Sequence, residues 1–218
     1  MDIREFIARR VAKEFKDGDV INVGFGIPLM STRFISPDIT VHIHSENGII
    51  RMGESPELLG LPVDPDITDA GGNPKTILPG GSFFDSLLSF ALIRGGHLDT
   101  TVLGALQVDQ EGNLANWIIP GKLVPGIGGA MDLAVGSNRV IVAMEHTAKG
   151  NPKILKQCTL PLTARKKVNL IITEMGVFEI TSEGMTLIEI SSEVSVKDIQ
   201  ECTEANFSVS PTLKIMEV

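Results

Sequence analysis

The apolar segments of this chain are short and set apart by turn residues, which leaves few folds open to it. Val20–Val23 and residues 39–45, 101–106, 139–144, 169–173, 177–180 and 185–190 each run apolar or alternate. Those lengths suit strands and fall far short of the ~20 residues that span a bilayer. Stretches at helical spacing lie between them. Ile3, Phe6, Ile7, Val11 and Phe15 share one face, with Asp2 placed to cap and Gly18 to terminate. Ser82 and Asp85 read as a capping box for a helix carrying Phe83, Leu87, Phe90 and Ala91, stopped by Gly95 and Gly96. Ser195 with Asp198 caps another, and Glu183-Gly184 reads as a hairpin turn. Residues 53–80, rich in Gly, Pro and Asp, read as an excursion with little regular structure. Strands interleaved with helices predict an α/β layered fold with a mostly parallel sheet. No repeat or linker divides residues 1–218, so a single domain is expected.

Glycine supplies 22 of the 218 residues, which points to tight turns and close backbone approaches rather than a helical bundle. Nineteen Lys and Arg against 27 Asp and Glu give a net charge of −8. That balance argues against nucleic acid as a partner, since such binding rests on neutralised phosphates. Two cysteines, Cys158 and Cys202, do not make a disulfide framework. The charged start MDIREFIARR has no signal-peptide pattern, and a cytoplasmic location is expected.

Glu46 follows the alternating strand 39–45 and precedes Asn47-Gly48, a turn dipeptide. In open α/β sheets, ligands sit in the crevice at the carboxyl ends of strands. A carboxylate there can be a nucleophile, a general base, a metal ligand or a solvated loop acid, and position alone does not choose. His42 and His44 share a face of that strand, but no third ligand stands at a metal spacing, so both read as structural. Gly24-Phe25-Gly26-Ile27-Pro28 lacks the third glycine of a dinucleotide loop; it suits amides facing an anion or carbonyl, or a plain tight turn. Asn22 precedes it and projects toward the same crevice. Residues 126–130, including Gly128 and Gly129, offer exposed amides before a helix with Asp132 in its first turn; an oxyanion hole and simple backbone packing are both open. Between Glu145 and Glu174 no acid occurs, whereas Lys149, Lys153, Lys156, Arg165, Lys166 and Lys167 do. This segment can meet phosphates or be a solvated face. Cys158 has no partner base and reads as an inert thiol.

Taken together, SENGI at 45–49, ILPGGSFFDS at 77–86, LIRGGHLD at 92–99, NLANWIIPGK at 113–122, GGAMDL at 128–133, EHTAKGNPKIL at 145–155 and CTLPLT at 158–163 resemble the B subunit of 3-oxoacid CoA-transferases. The butyrate–acetoacetate type is the nearest in look, and the likeness runs from about residue 3 to 213. The resemblance implies a three-layer α/β/α fold and Glu46 as the catalytic nucleophile of a ping-pong transfer through a glutamyl-CoA thioester. A carboxylate is ionised at neutral pH and needs no general base. The resemblance also implies Asn22 (side-chain amide) and Gly129 (backbone N–H) as oxyanion donors, and CoA contacts at Gly24, Phe25, Gly26, Ile27, Pro28, Asn116, Gly129 and Lys149. CoA is then substrate and covalent intermediate, with no resident cofactor and no metal. A homologous A subunit completes the site in an α2β2 or larger assembly. An acyl-CoA hydrolase using the same glutamate and a non-catalytic binding subunit are the rival readings. An isomerase on the same fold is a third.

Overall fold

The apolar runs form one large sheet, and the helices cover both of its faces. The computed structural model describes residues 1–122 and 126–218, so Pro125, with which the glycine-rich segment 125–136 begins, lies outside the described residues. In chain order the first half contains α1 (Ile3–Ala12), β1 (Val20–Val23), α2 (Ile27–Met30), β2 (His42–Ser45), β3 (Ile49–Met52), β4 (Ile77–Phe83), α3 (Ser86–Arg94) and β5 (Thr100–Leu103). Three short strands, β6 (Gln107–Asp109), β7 (Leu114–Ala115) and later β11 (Ile154–Leu155), form a small sheet of their own. The second half adds α4 (Ala130–Gly136), β8 (Arg139–Ala143), the β9 (Thr147–Ala148) and β10 (Asn151–Pro152) pair, β12 (Leu170–Ile172), β13 (Gly176–Thr181), β14 (Gly184–Ile190), α5 (Val196–Glu201) and β15 (Ser208–Ile215).

The main sheet runs β15-β14-β13-β12-β8-β5-β1-β2-β3-β4. Its centre, β12-β8-β5-β1-β2, is parallel throughout, and antiparallel hairpins β2-β3 and β13-β14 extend it on either side. Alternation decides which core each residue joins. Along β8, Val140 and Val142 face a core that also holds Ile93 of α3, Leu133 of α4 and Ile199 of α5. Ile141 and Ala143 face the opposite core with Ile7 and Val11 of α1. Two cores on the two faces of one sheet make the α/β/α layering.

Several local expectations shift. Asp2 stands at the N-cap of α1 without a side-chain cap bond, and α1 ends at Ala12. Gly18, at φ +86°, shapes the following turn instead and donates to the Thr40 carbonyl. The α3 cap is Asp85 alone, accepting from the Leu88 N–H at 2.8 Å, because Ser82 is paired inside β4. The excursion 53–80 carries a 3-10 turn at Pro56–Leu59 and ends in β4, which pairs with β3. The capping box of Ser195 and Asp198 forms as expected, and the Glu183-Gly184 hairpin joins β13 to β14.

One polar cluster is buried beside α1. Arg10, 6 % exposed, bonds Glu14 at 2.6 Å and Glu189 of β14 at 2.7 Å, and Arg139 bonds Glu14 at 2.6 Å. Burial alone would raise the Glu14 carboxyl, but the two guanidinium groups outweigh it and hold Glu14 below its ordinary range. Its stabilising share is therefore full above that range and is lost as pH falls through the lowered folded value. Arg10→Met strands Glu189 without its cation, and a loss of about 3–5 kcal/mol is expected. A urea midpoint within error of the parent protein would show that the cluster adds nothing.

Candidate functional site

The site lies where the parallel strands end. The β2-β3 hairpin closes in two bonds around Glu46: Gly48 N–H reaches the Ser45 carbonyl at 3.0 Å, and Phe84 N–H reaches the Gly48 carbonyl at 2.9 Å. Gly48 has φ +116°, and a Cβ there would stand 1.9 Å from the Phe84 carbonyl oxygen, so only glycine serves at this turn. Two further bonds pin the turn to the excursion. Ala70 N–H donates to Ser45 Oγ at 3.0 Å, and Asn47 Nδ2 donates to the Thr68 carbonyl at 2.8 Å.

Among the described residues, the half-buried Glu46 carboxylate receives one hydrogen bond, from the Gly129 N–H to Oε1 at 3.0 Å. Gly129 is the residue before α4, with φ −83°, a conformation open to any L residue. Space, not backbone, demands glycine there: a Cβ would stand 2.7 Å from Glu46 Oε2 and 2.8 Å from Cδ. Around the carboxylate opens a cavity of about 510 Å³. Val23-Gly24 at the end of β1, Ser45-Glu46 at the end of β2 and Leu103-Gly104 at the end of β5 line it, so the crevice forms at the carboxyl ends of three adjacent strands.

The cavity gathers Asn22, Gly24, Phe25, Glu46, Asn116 and Gly129. It does not gather Gly26, Ile27, Pro28 or Lys149. Gly26 precedes α2, Ile27 and Pro28 form its first turn, and Pro28 is buried. Lys149 is exposed in the turn between β9 and β10, at φ +53°. Asn22 is 4 % exposed, and its Nδ2 donates to the His44 carbonyl and to His44 Nδ1, each at 3.2 Å. Asn116 is tied on both ends of its amide: Nδ2 donates to the Gly104 carbonyl at 3.2 Å, and Oδ1 accepts from Thr163 Oγ1 at 2.7 Å.

The basic segment does not form one cluster of free cations. Burial lowers the Lys153 pKa against the opposing charges of Glu145 and Glu174, and Lys166 pairs with Glu111 at 3.5 Å. Burial and the neighbouring Asp109 charge push the Cys158 thiol up to about 12, so almost no thiolate exists near neutral pH. What the residues alone did not signal is the contact between Phe25 and Gly71. Phe25 lies so close over Gly71 that a Cβ there would fall 1.5 Å from the ring. Only the doubled glycine in the excursion hinted at it.

The geometry has close relatives. Residues 4–202 match the family model for Coenzyme A transferase. The chain is 49 % identical over 214 residues to acetate CoA-transferase subunit beta of Escherichia coli (strain K12), covering 98 % of this chain and 97 % of that one. It is 52 % identical over 217 residues to the mitochondrial succinyl-CoA:3-ketoacid coenzyme A transferase 2B of Mus musculus, but spans only 41 % of that longer protein. Among solved structures, an acyl-CoA transferase from Escherichia coli O157:H7 in thioester complex with CoA superposes with a TM-score of 0.78 at 26 % identity, over all of this chain and 43 % of that one. By sequence along nearly its whole length, and by fold, the chain belongs to the Coenzyme A transferase family.

Proposed function

We propose that this chain, as a single domain over residues 1–218, is the B subunit of a CoA-transferase with Glu46 as its nucleophile. It would move CoA between an acyl-CoA and a short-chain carboxylate or a 3-oxoacid such as acetoacetate. The observation that carries this reading is the Gly129 N–H, 3.0 Å from Glu46 Oε1 within the cavity. That bond divides the work of the two oxygens. Oε2 attacks the acyl carbonyl, and CoA thiolate leaves a mixed anhydride behind. The thiolate then attacks Glu46 Cδ, and charge collects on Oε1, toward which Gly129 N–H already points. Collapse expels the acyl group as a carboxylate that takes Oε2 with it, and Cδ is left bonded to sulfur. The acceptor carboxylate attacks Cδ and runs the steps in reverse. One thioester replaces another throughout, so neither ATP nor a resident cofactor or metal is needed.

Asn22 would act as a second donor, to the acyl carbonyl, by exchanging its bond to the His44 carbonyl for the substrate oxygen while keeping its bond to the His44 ring. For the CoA arm we assign Gly24, Phe25, Asn116 and Gly129, which the cavity lining supports, and Gly26, Ile27, Pro28 and Lys149, which rest on the resemblance to the family. Remote contacts of this kind supply binding energy that can be spent at the reacting carbonyl.

A homologous A subunit is the proposed partner, in an α2β2 or larger assembly. The E. coli relative is named as a subunit beta, and the mouse relative is more than twice this chain's length. Co-expression with an A subunit should give a complex that transfers CoA from acetoacetyl-CoA to acetate or butyrate. The isolated chain should turn over at less than about a hundredth of that rate, because part of the acyl pocket is missing. Equal activity of the isolated chain would overturn the two-chain reading. Intact-mass analysis after acyl-CoA treatment should show a CoA adduct on Glu46.

A further inference from the structure

His44 is almost fully buried, 1 % exposed, and the transfer chemistry makes no use of it. Its ring joins three elements. On one side Nδ1 lies 3.2 Å from Asn22 Nδ2, which also donates to the His44 carbonyl at 3.2 Å. On the other side Nε2 lies 3.0 Å from Ser89 Oγ of α3, a hydroxyl with no solvent exposure. An amide nitrogen can only donate, so Nδ1 is the acceptor and Nε2 carries the proton toward Ser89. The ring stacks on Phe84 at 6.0 Å between centroids, and Phe84 N–H holds the Gly48 carbonyl of the Glu46 turn. Burial keeps this imidazole neutral, with its pKa lowered to about 4.

The placement follows from the sheet register. Asn22 is paired with His44 across the parallel β1-β2 ladder, and Glu46 follows two residues later. Side-chain bonds therefore add to the ladder at the point where both strands enter the cavity. Without them, the strand ends are held by backbone pairing alone, at the last rung before the nucleophile.

We propose that His44 is a positioning residue for the transfer reaction, holding the ends of β1 and β2 together from Asn22 on one side and Ser89 on the other, so that the Glu46 carboxylate stays on the Gly129 N–H. This inference rests on the reading of Glu46 as nucleophile. Misplacement of a reacting group by an ångström costs on the order of 100-fold, so the loss appears in the bond-forming step rather than in CoA binding.

The test measures single-turnover formation of the CoA adduct, with KM for acyl-CoA, in the complex with the A subunit. His44→Leu removes both ring bonds and should slow adduct formation by about 30-fold or more, with KM changed by less than about threefold. His44→Gln keeps one acceptor and one donor at comparable reach and should recover the rate to within about fivefold. Ser89→Ala should slow it by about five- to tenfold, and this variant carries the test if His44→Leu does not fold. An unchanged rate in His44→Leu, or in Ser89→Ala where that variant is used, overturns the inference. So does equal loss in His44→Leu and His44→Gln, or a loss that falls wholly on KM. If the parent complex forms no adduct at all, it is the reading of Glu46 that fails.

Discussion

Glu46→Ala should abolish the CoA adduct and lower transfer by ~10⁴-fold or more, since it removes the carboxylate that forms the covalent intermediate. The fold should not notice. Among the described residues the Glu46 side chain makes one hydrogen bond, accepted from the Gly129 N–H, and it is half-buried at a turn whose closure uses Ser45, Gly48 and Phe84. Melting of the variant should therefore fall within a few degrees of the parent. Glu46→Gln sharpens the result, because it keeps the shape and an acceptor for Gly129 while removing the anionic nucleophile. It should also form no adduct on mixing. Adduct formation by Glu46→Ala would place the nucleophile elsewhere and end the mechanism.

Gly129→Ala should be nearly as damaging, for a steric reason. The backbone at φ −83° accepts alanine without strain, so the segment can keep its path. The new methyl group would then stand 2.7 Å from Oε2, 2.8 Å from Cδ and 3.0 Å from Oε1 of Glu46. The carboxylate must swing away and gives up its bond from the Gly129 N–H. Losing one oxyanion donor costs about 3 kcal/mol, and displacing the nucleophile adds to that. A fall of about 10²- to 10³-fold or more in the rate of adduct formation is expected, with Gly24, Phe25 and Asn116 of the cavity wall unchanged and KM shifted little. Stopped reactions read by intact mass measure it directly. Parent-like adduct formation by Gly129→Ala would mean that the Gly129–Glu46 contact has no part in catalysis.

The layered architecture was legible in the residues because central strands such as 139–143 and 170–172 are short and run almost continuously apolar. Val140 and Val142 against Ile141 and Ala143 can only be satisfied by burial on two faces, and that requires helices on both sides. Caps were legible where one local signal had no competitor, as at Ser195 and Asp198. They were not where a long-range pairing intervened: Ser82 offers a cap in isolation, but β4 claims it, and the cap passes to Asp85. The resemblance to CoA-transferases named Glu46 and Gly129. It named the Gly129 N–H as a donor but could not say that this N–H meets Glu46 Oε1, since the two residues are 83 apart and their approach depends on how α4 packs beside the β2-β3 turn.

The sequence by itself determined the α/β class, the strand that delivers Glu46 to a crevice and the family to which the chain belongs. These rest on periodicity, turn residues and ordered motifs, which are local properties of the chain. Only the tertiary structure decided that Glu46 Oε1 is held by Gly129, that Asn22 is engaged with His44, and that Lys149 stands apart from the cavity. Those facts depend on strand order and register. A parallel sheet brings β1, β2 and β5 side by side through long crossovers, so contacts at their ends join residues that no short-range pattern connects.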